Sequence, residues 1–141
     1  MQAVAVAQFA PGPEREANLA AMRALATTAV ARGATLVVFP EYSSYFTPEI
    51  GPDWIAAAEA LDGAFVHGLA SIASDLAITV VAGLLEAAGE KAHNTVVAVA
   101  PSGELLATYR KQHLYDAFGS VESQWIAPGP TGAFEDRKSV V

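Results

Sequence analysis

The sequence predicts an α/β fold with at least two adjacent parallel strands, and three observations carry that expectation. The run Leu36, Val37, Val38, Phe39 is continuous, apolar and β-prone, the pattern of a strand covered on both faces. An earlier run from Ala3 to Phe9 alternates small and branched apolar residues and reads as a first buried strand, ended by Pro11-Gly12-Pro13. Between the two, Leu19, Met22, Ala26, Ala29 and Val30 recur at helical spacing. Strand, helix and strand make a βαβ unit, whose crossover is expected to be right-handed.

Local signals agree with each element. Pro13 suits a first helical position, Glu14 and Glu16 complement the positive end of the helix dipole, and Gly33 is placed to end the helix. Pro40 stops the second strand because proline cannot extend a central ladder, and Glu41 follows at once. Buried parallel strands present their chemistry at their carboxyl ends, so Glu41 stands at the rim of a potential cleft. The loop from Tyr42 to Pro52, rich in aromatics and prolines, is the better place for substrate contacts. Asp53 can cap a helical stretch through Leu61, Asp62-Gly63 breaks it, and a second helical run extends from about Phe65 to Ser74. Ile78 to Leu85 reads as another buried strand and Ala87 to Lys91 as a turn. Asn94 to Ala100 and Leu105 to Tyr109 then read as an antiparallel hairpin around Pro101-Ser102-Gly103-Glu104. Its exit carries Arg110, Lys111, Gln112 and His113.

Composition narrows the function classes. At 141 residues, 52% hydrophobic and 16% charged, the chain matches one globular domain with a sizeable core. A net charge of −7 with eight scattered Lys and Arg residues argues against a nucleic-acid surface and against an anionic membrane. There is no cysteine, hence no disulfide framework and no thiolate metal site, which agrees with a cytoplasmic location. The N-terminus lacks the pattern of a signal peptide, and no apolar run reaches membrane-spanning length. His67, His93 and His113 have no i,i+4 partner, so no metal is expected; His67 is expected to pack on a helix face. No Gly-rich phosphate loop follows the first strand and no GxSxG elbow surrounds Ser43 and Ser44, so no cofactor is expected and neither serine reads as a nucleophile. Tyr42, Tyr45, Phe46 and Trp54 read as core or pocket wall.

The segments AVAQFAP, FPEYS, HNTVVAVAPSGELLATYRKQHLYD and SVESQWIAPG, with Asn18 in the first helix, resemble the nitrilase or carbon-nitrogen hydrolase family, in the family's order and up to about Phe134. The resemblance implies the N-terminal part of a four-layer α-β-β-α sandwich, with residues 1–141 an incomplete carbon-nitrogen hydrolase domain that forms a homo-oligomer when full length. It also implies hydrolysis of non-peptide C–N bonds in small amide, nitrile or carbamoyl substrates without a metal. By motif, Glu41 matches the general base, Lys111 the cation facing the oxyanion, and Glu122 a second acid that orients the lysine or substrate. His113 is expected to hold the lysine's loop, and Tyr42 lies beside the base. The family's nucleophilic cysteine has no counterpart here. Gly132 to Glu135 would form a short strand, Asp136-Arg137-Lys138 a turn, and Ser139 to Val141 the start of the strand that leads to it.

The residue types belong together on chemical grounds. A thiol with a pKa of about 8.5 needs a carboxylate to remove its proton, and that carboxylate works best in a dry pocket. A nearby ammonium counters the charge that develops on the substrate. Two functions stay open: a nitrilase-related hydrolase represented by this portion, and a non-catalytic α/β binding or interaction module that keeps the fold without the nucleophile.

Overall fold

The computed structural model describes residues 3–131. Its main sheet has five strands in the order β1 (Ala3–Val6), β2 (Ala34–Val38), β3 (Thr79–Ala88), β4 (Lys91–Val99) and β5 (Leu105–Arg110). The first three are parallel, and β4 and β5 return antiparallel, as the hairpin signal predicts. Helix α1 (Arg15–Ala31) joins β1 to β2, which is the expected βαβ unit. Gly33 ends that connection at φ +86°, a left-handed conformation that a side chain would strain.

Two later elements differ from their sequence signals. Helix α2 (Pro52–Ala57) is shorter than the Asp53 to Leu61 stretch, because the chain extends after Ala58 and Glu59 joins the sheet beside Glu86. The Glu59 N–H donates to the Leu85 carbonyl at 3.1 Å and its own carbonyl accepts from Ala87 at 2.9 Å, so a ladder replaces the helix. β3 and β4 run longer than expected, leaving Gly89-Glu90 as a two-residue turn. Helix α3 (Ala64–Leu76) lies where the second helical run is expected. His67 is exposed on it rather than packed.

Helices α1 and α3 cover one face of the sheet, where Met22, Phe65, Leu69 and Ile72 meet Val37, Val80, Leu84, Val97 and Val99. The other face carries a second cluster of Tyr42, Trp54, Leu85, Ala92 and Ile126 with Ile50, Ile55 and Leu114 packed against it, and leaves Val96 and Tyr109 exposed. Contrary to the expectation of a first buried strand, β1 is an edge strand with Val4 61% and Val6 84% exposed. The strand's period of two is the reason: Ala5 and Ala7 pack toward the helical core, and the valines point away. No helix among the described residues is long and apolar enough to cross a membrane. The expected strand at 132–135, the turn at 136–138 and the segment 139–141 lie outside the described residues.

Candidate active site

The turn after β2 places Glu41. Phe39 still donates to Val81 at 2.8 Å, Pro40 ends the ladder, and the chain bends back through Tyr42, whose φ of 57° is left-handed. That bend lies directly on β3: a Cβ on Gly83 would sit 2.8 Å from the Tyr42 nitrogen and 2.9 Å from the Glu41 Cα, so only glycine admits so close an approach. Ser43 of the motif and the adjacent Ser44 are structural. Ser43 is buried and donates to the Pro40 carbonyl at 2.6 Å, and Ser44 Oγ accepts the Leu85 N–H at 3.0 Å. Asn18 ties the loop to the start of α1, bonding Gly12 through both backbone groups and donating to the Ser44 carbonyl.

Strand alternation places Lys111. Arg110 pairs with Thr95 and points to the helical face, where its guanidinium forks onto buried Glu86, Nε to Oε2 at 2.7 Å and Nη2 to Oε1. Thr95 donates to the same carboxylate at 2.8 Å. The next residue must leave on the opposite face. Lys111 does so, its backbone N–H on the Asn94 carbonyl at 2.8 Å and its carbonyl accepting the Gly129 N–H at 2.8 Å.

On that face the groups converge. Lys111 Nζ lies 3.3 Å from Glu41 Oε1, and 3.2 and 3.1 Å from the two oxygens of Glu122. Glu122 opens a 3₁₀ turn, Glu122–Gln124, after the short hairpin β6 (Asp116–Ala117) and β7 (Ser120–Val121). Its carboxylate accepts the Tyr42 hydroxyl at 2.7 Å and the Tyr115 N–H at 2.6 Å. Four sequence-predicted residues, Glu41, Tyr42, Lys111 and Glu122, therefore meet at one place. His113 does not join them: it is exposed, with no hydrogen bond or ion pair among the described residues, and the lysine's loop is held by the Gly129 and Tyr115 backbone contacts instead.

Burial sorts the charges. The Glu122 side chain is only 4% exposed; desolvation pushes its pKa up, but Tyr115, Tyr42 and Lys111 outweigh that and hold it below the usual carboxylate range. Lys111, 30% exposed, is drawn down by desolvation and carried above its ordinary value by Glu122 and Glu41. Burial, then the bond to Glu122, raises the Tyr42 hydroxyl, which stays a neutral donor. Glu41 is 55% exposed, so the dry surroundings suited to a base are not made by the described residues. Beside the cluster, Tyr42, Phe46, Ile50, Trp54, Val121 and Trp125 line a cavity of about 500 Å³. No group of three metal-ligating side chains occurs among the described residues.

Asn94 is a member of the cluster that the sequence motifs do not single out. It is buried, and its Nδ2 donates to Glu41 Oε1 at 2.5 Å. The available signal is weak: Asn94 shares the face of β4 that Ala92 and Val96 take, but His93 and Thr95 flank it, so its burial and hence its need for a partner show only in the fold. The Glu86–Arg110 pair likewise escapes sequence reasoning, because its partners lie 24 positions apart.

Known proteins resemble this chain over most of its length. The carbon-nitrogen hydrolase family model matches residues 3–136. The chain is 39% identical over 129 residues to the hydrolase Rv0480c of Mycobacterium tuberculosis, covering 89% of this chain and 45% of that protein. It is 29% identical to the omega-amidase NIT2 of Xenopus tropicalis, covering 89% and 47%. The crystal structure of an amidase from Nesterenkonia sp. superposes with a TM-score of 0.77 at 29% identity, over 91% of this chain and 48% of that one. The chain thus spans about half the length of the relatives it matches, and its sheet and helix layer have the nitrilase-type amidase fold. By sequence and by fold, the chain belongs to the carbon-nitrogen hydrolase family.

Proposed function

We propose that this chain supplies the base and the oxyanion-facing cation of an amide-hydrolysing site. Glu41 takes the proton of the nucleophile, Lys111 faces the charge developing on the substrate carbonyl, and Glu122 holds the lysine in place. One observation carries the reading: carboxylates from positions 41 and 122, far apart in sequence, both lie within 3.3 Å of one ammonium. Glu122 is buried and fully hydrogen-bonded, which suits an orienting anion, whereas Glu41 stands at the solvent side, where a proton can be exchanged.

The nucleophile in this reading is a thiol, as the family resemblance implies, and these 141 residues contain no cysteine. The chain by itself carries the assisting groups without the group that they assist, and residues acting as such a unit lose nearly all of the acceleration when the nucleophile is missing. The cavity beside Tyr42, walled by aromatic and branched side chains, is the place for a small acyl group. Amides are the first substrate class, with nitriles and carbamoyl compounds as the wider set.

The test is an assay of the full-length gene product against short amides, nitriles and carbamoyl amino acids, with Glu41→Gln and Lys111→Ala alongside. Each substitution is expected to lower kcat by about 10²- to 10³-fold, the scale for losing one preorganised charge at the reacting centre. Amide hydrolysis that survives both substitutions would overturn the assignment. A gene product that hydrolyses none of the panel would favour the non-catalytic module instead.

A further inference from the structure

Asn94 has a place in the cluster that neither charge nor motif assigns. It lies on β4 opposite Leu85, on the face that Lys111 also takes, and it bonds to both reacting partners at once. Its side-chain amide donates to Glu41 Oε1, and its backbone carbonyl accepts the Lys111 N–H. The two donors that reach Glu41, Asn94 Nδ2 and Lys111 Nζ, fall on the same oxygen; among the described residues none reaches Oε2. The carboxylate is therefore asymmetric, with one oxygen saturated and the other carrying its lone pairs outward.

We propose that Asn94 is a positioning residue that holds Glu41 Oε1 on the lysine side and so reserves Oε2 as the oxygen that accepts the nucleophile's proton. In that step the S–H bond of the thiol breaks, its proton bonds to Oε2, and the electron pair stays on sulfur. Without the amide, the exposed Glu41 side chain has only Lys111 to hold it, through a single contact at 3.3 Å, and is free to turn either oxygen onto the ammonium. A short amide on a buried strand residue is a firmer holder than a flexible lysine, because little rotamer freedom remains to be lost. The inference rests on the hydrolase reading above.

Asn94→Ala and Asn94→Leu in the full-length gene product test it, with kcat and KM measured separately on a short amide. Leucine keeps the branching and approximate size of the side chain, removes the donor and adds no charge beside Glu41, so it separates positioning from packing. Both variants are expected to lower kcat by about 10- to 100-fold with KM within about twofold, the scale of a reacting group misplaced by an ångström or less. Wild-type circular dichroism and an unfolding temperature no lower than wild type in Asn94→Leu complete the expected result. If Asn94→Leu keeps wild-type kcat, or if kcat falls only in proportion to the unfolded fraction, Asn94 is merely structural and the inference fails. Loss of folded protein in both variants also marks Asn94 as structural and overturns the inference. Wild-type hydrolysis that ignores Asn94 leaves the hydrolase reading standing, and the absence of any wild-type hydrolysis takes both down.

Discussion

Replacing Gly83 with alanine should displace Glu41 without removing any charged group. The added Cβ would lie 2.8 Å from the Tyr42 nitrogen, 2.9 Å from the Glu41 Cα and 3.1 Å from the Pro40 carbonyl, whereas ordinary contacts begin at 3.4 Å. All three neighbours are backbone or Cα atoms, so no rotamer change relieves the overlap. The turn must move off β3 by roughly 0.6 Å, the shortfall at the closest contact, or the strand must bow by as much. Overpacking of this kind costs about 1–3 kcal/mol. The Gly83 N–H to Pro40 carbonyl bond, already 3.3 Å, lengthens in the same direction. In urea, with a slope of about 2 kcal/mol/M, a loss of about 2 kcal/mol moves the unfolding midpoint by about 1 M. Because Glu41 moves with the turn, kcat should fall at least about tenfold under native conditions, where the variant is still folded. A Gly83→Ala protein with the wild-type midpoint and wild-type turnover would refute the view that this close approach sets the position of Glu41.

Three other outcomes follow from the same geometry. Arg110→Ala strands the Glu86 carboxylate beneath the sheet with Thr95 as its remaining side-chain donor; the cost should be about 1–3 kcal/mol, and a double-mutant cycle with Glu86→Gln should show coupling of about 1 kcal/mol or more by chemical denaturation. Glu86 and Glu122 both have folded pKa values below their unfolded ones, so the stability they contribute is present above about pH 4.3 and is lost as pH falls through the folded values. The unfolding temperature should therefore hold from about pH 7 to about 5 and drop below about 4, and Glu122→Gln should flatten that drop; an equally steep loss in the variant would exclude Glu122 as a source. Finally, residues 1–141 produced alone should bind ANS or self-associate and show no amide hydrolysis, because Val4, Val6, Val96 and Tyr109 leave apolar sheet surface open; a monodisperse, ANS-silent chain would contradict this.

What the sequence makes legible is what local physics specifies. The βαβ unit, the hairpin and the helical runs follow from periodicity and from punctuation by Gly33, Pro40 and Gly103; α1 starts at Arg15, two residues after the expected Pro13, and α2 stops short of Leu61. Glu41 and Lys111 are legible because each closely follows a strand end. Misread elements are those decided by tertiary contacts. Glu59 leaves its helix because the β3 edge offers two backbone hydrogen bonds, and nothing in residues 53–61 announces that edge. The exposure of β1 depends on what covers the sheet, and alternation of alanine with valine fits a covered strand as well as an open one. His113 looks positional in the sequence because it sits near Lys111, yet proximity along an irregular segment does not fix where a side chain points.

Tyr42 shows why the arrangement is cooperative rather than local. A tyrosine at φ 57° carries roughly 1–2 kcal/mol of backbone strain, and no signal between Pro40 and Tyr45 explains why it is tolerated there. The offset comes from elsewhere: the ring is buried edge-on to Trp54 with centroids 4.8 Å apart, and the hydroxyl is bonded to Glu122, 80 positions away. Glu122 in turn is kept ionised by Tyr115, Tyr42 and Lys111, so the anion beside Lys111 also fastens the turn that presents Glu41. The strain at Tyr42 is thus offset by contacts with Trp54 and with the charged cluster, and the turn that carries Glu41 is tied both to β3 and to the loop that bears Glu122.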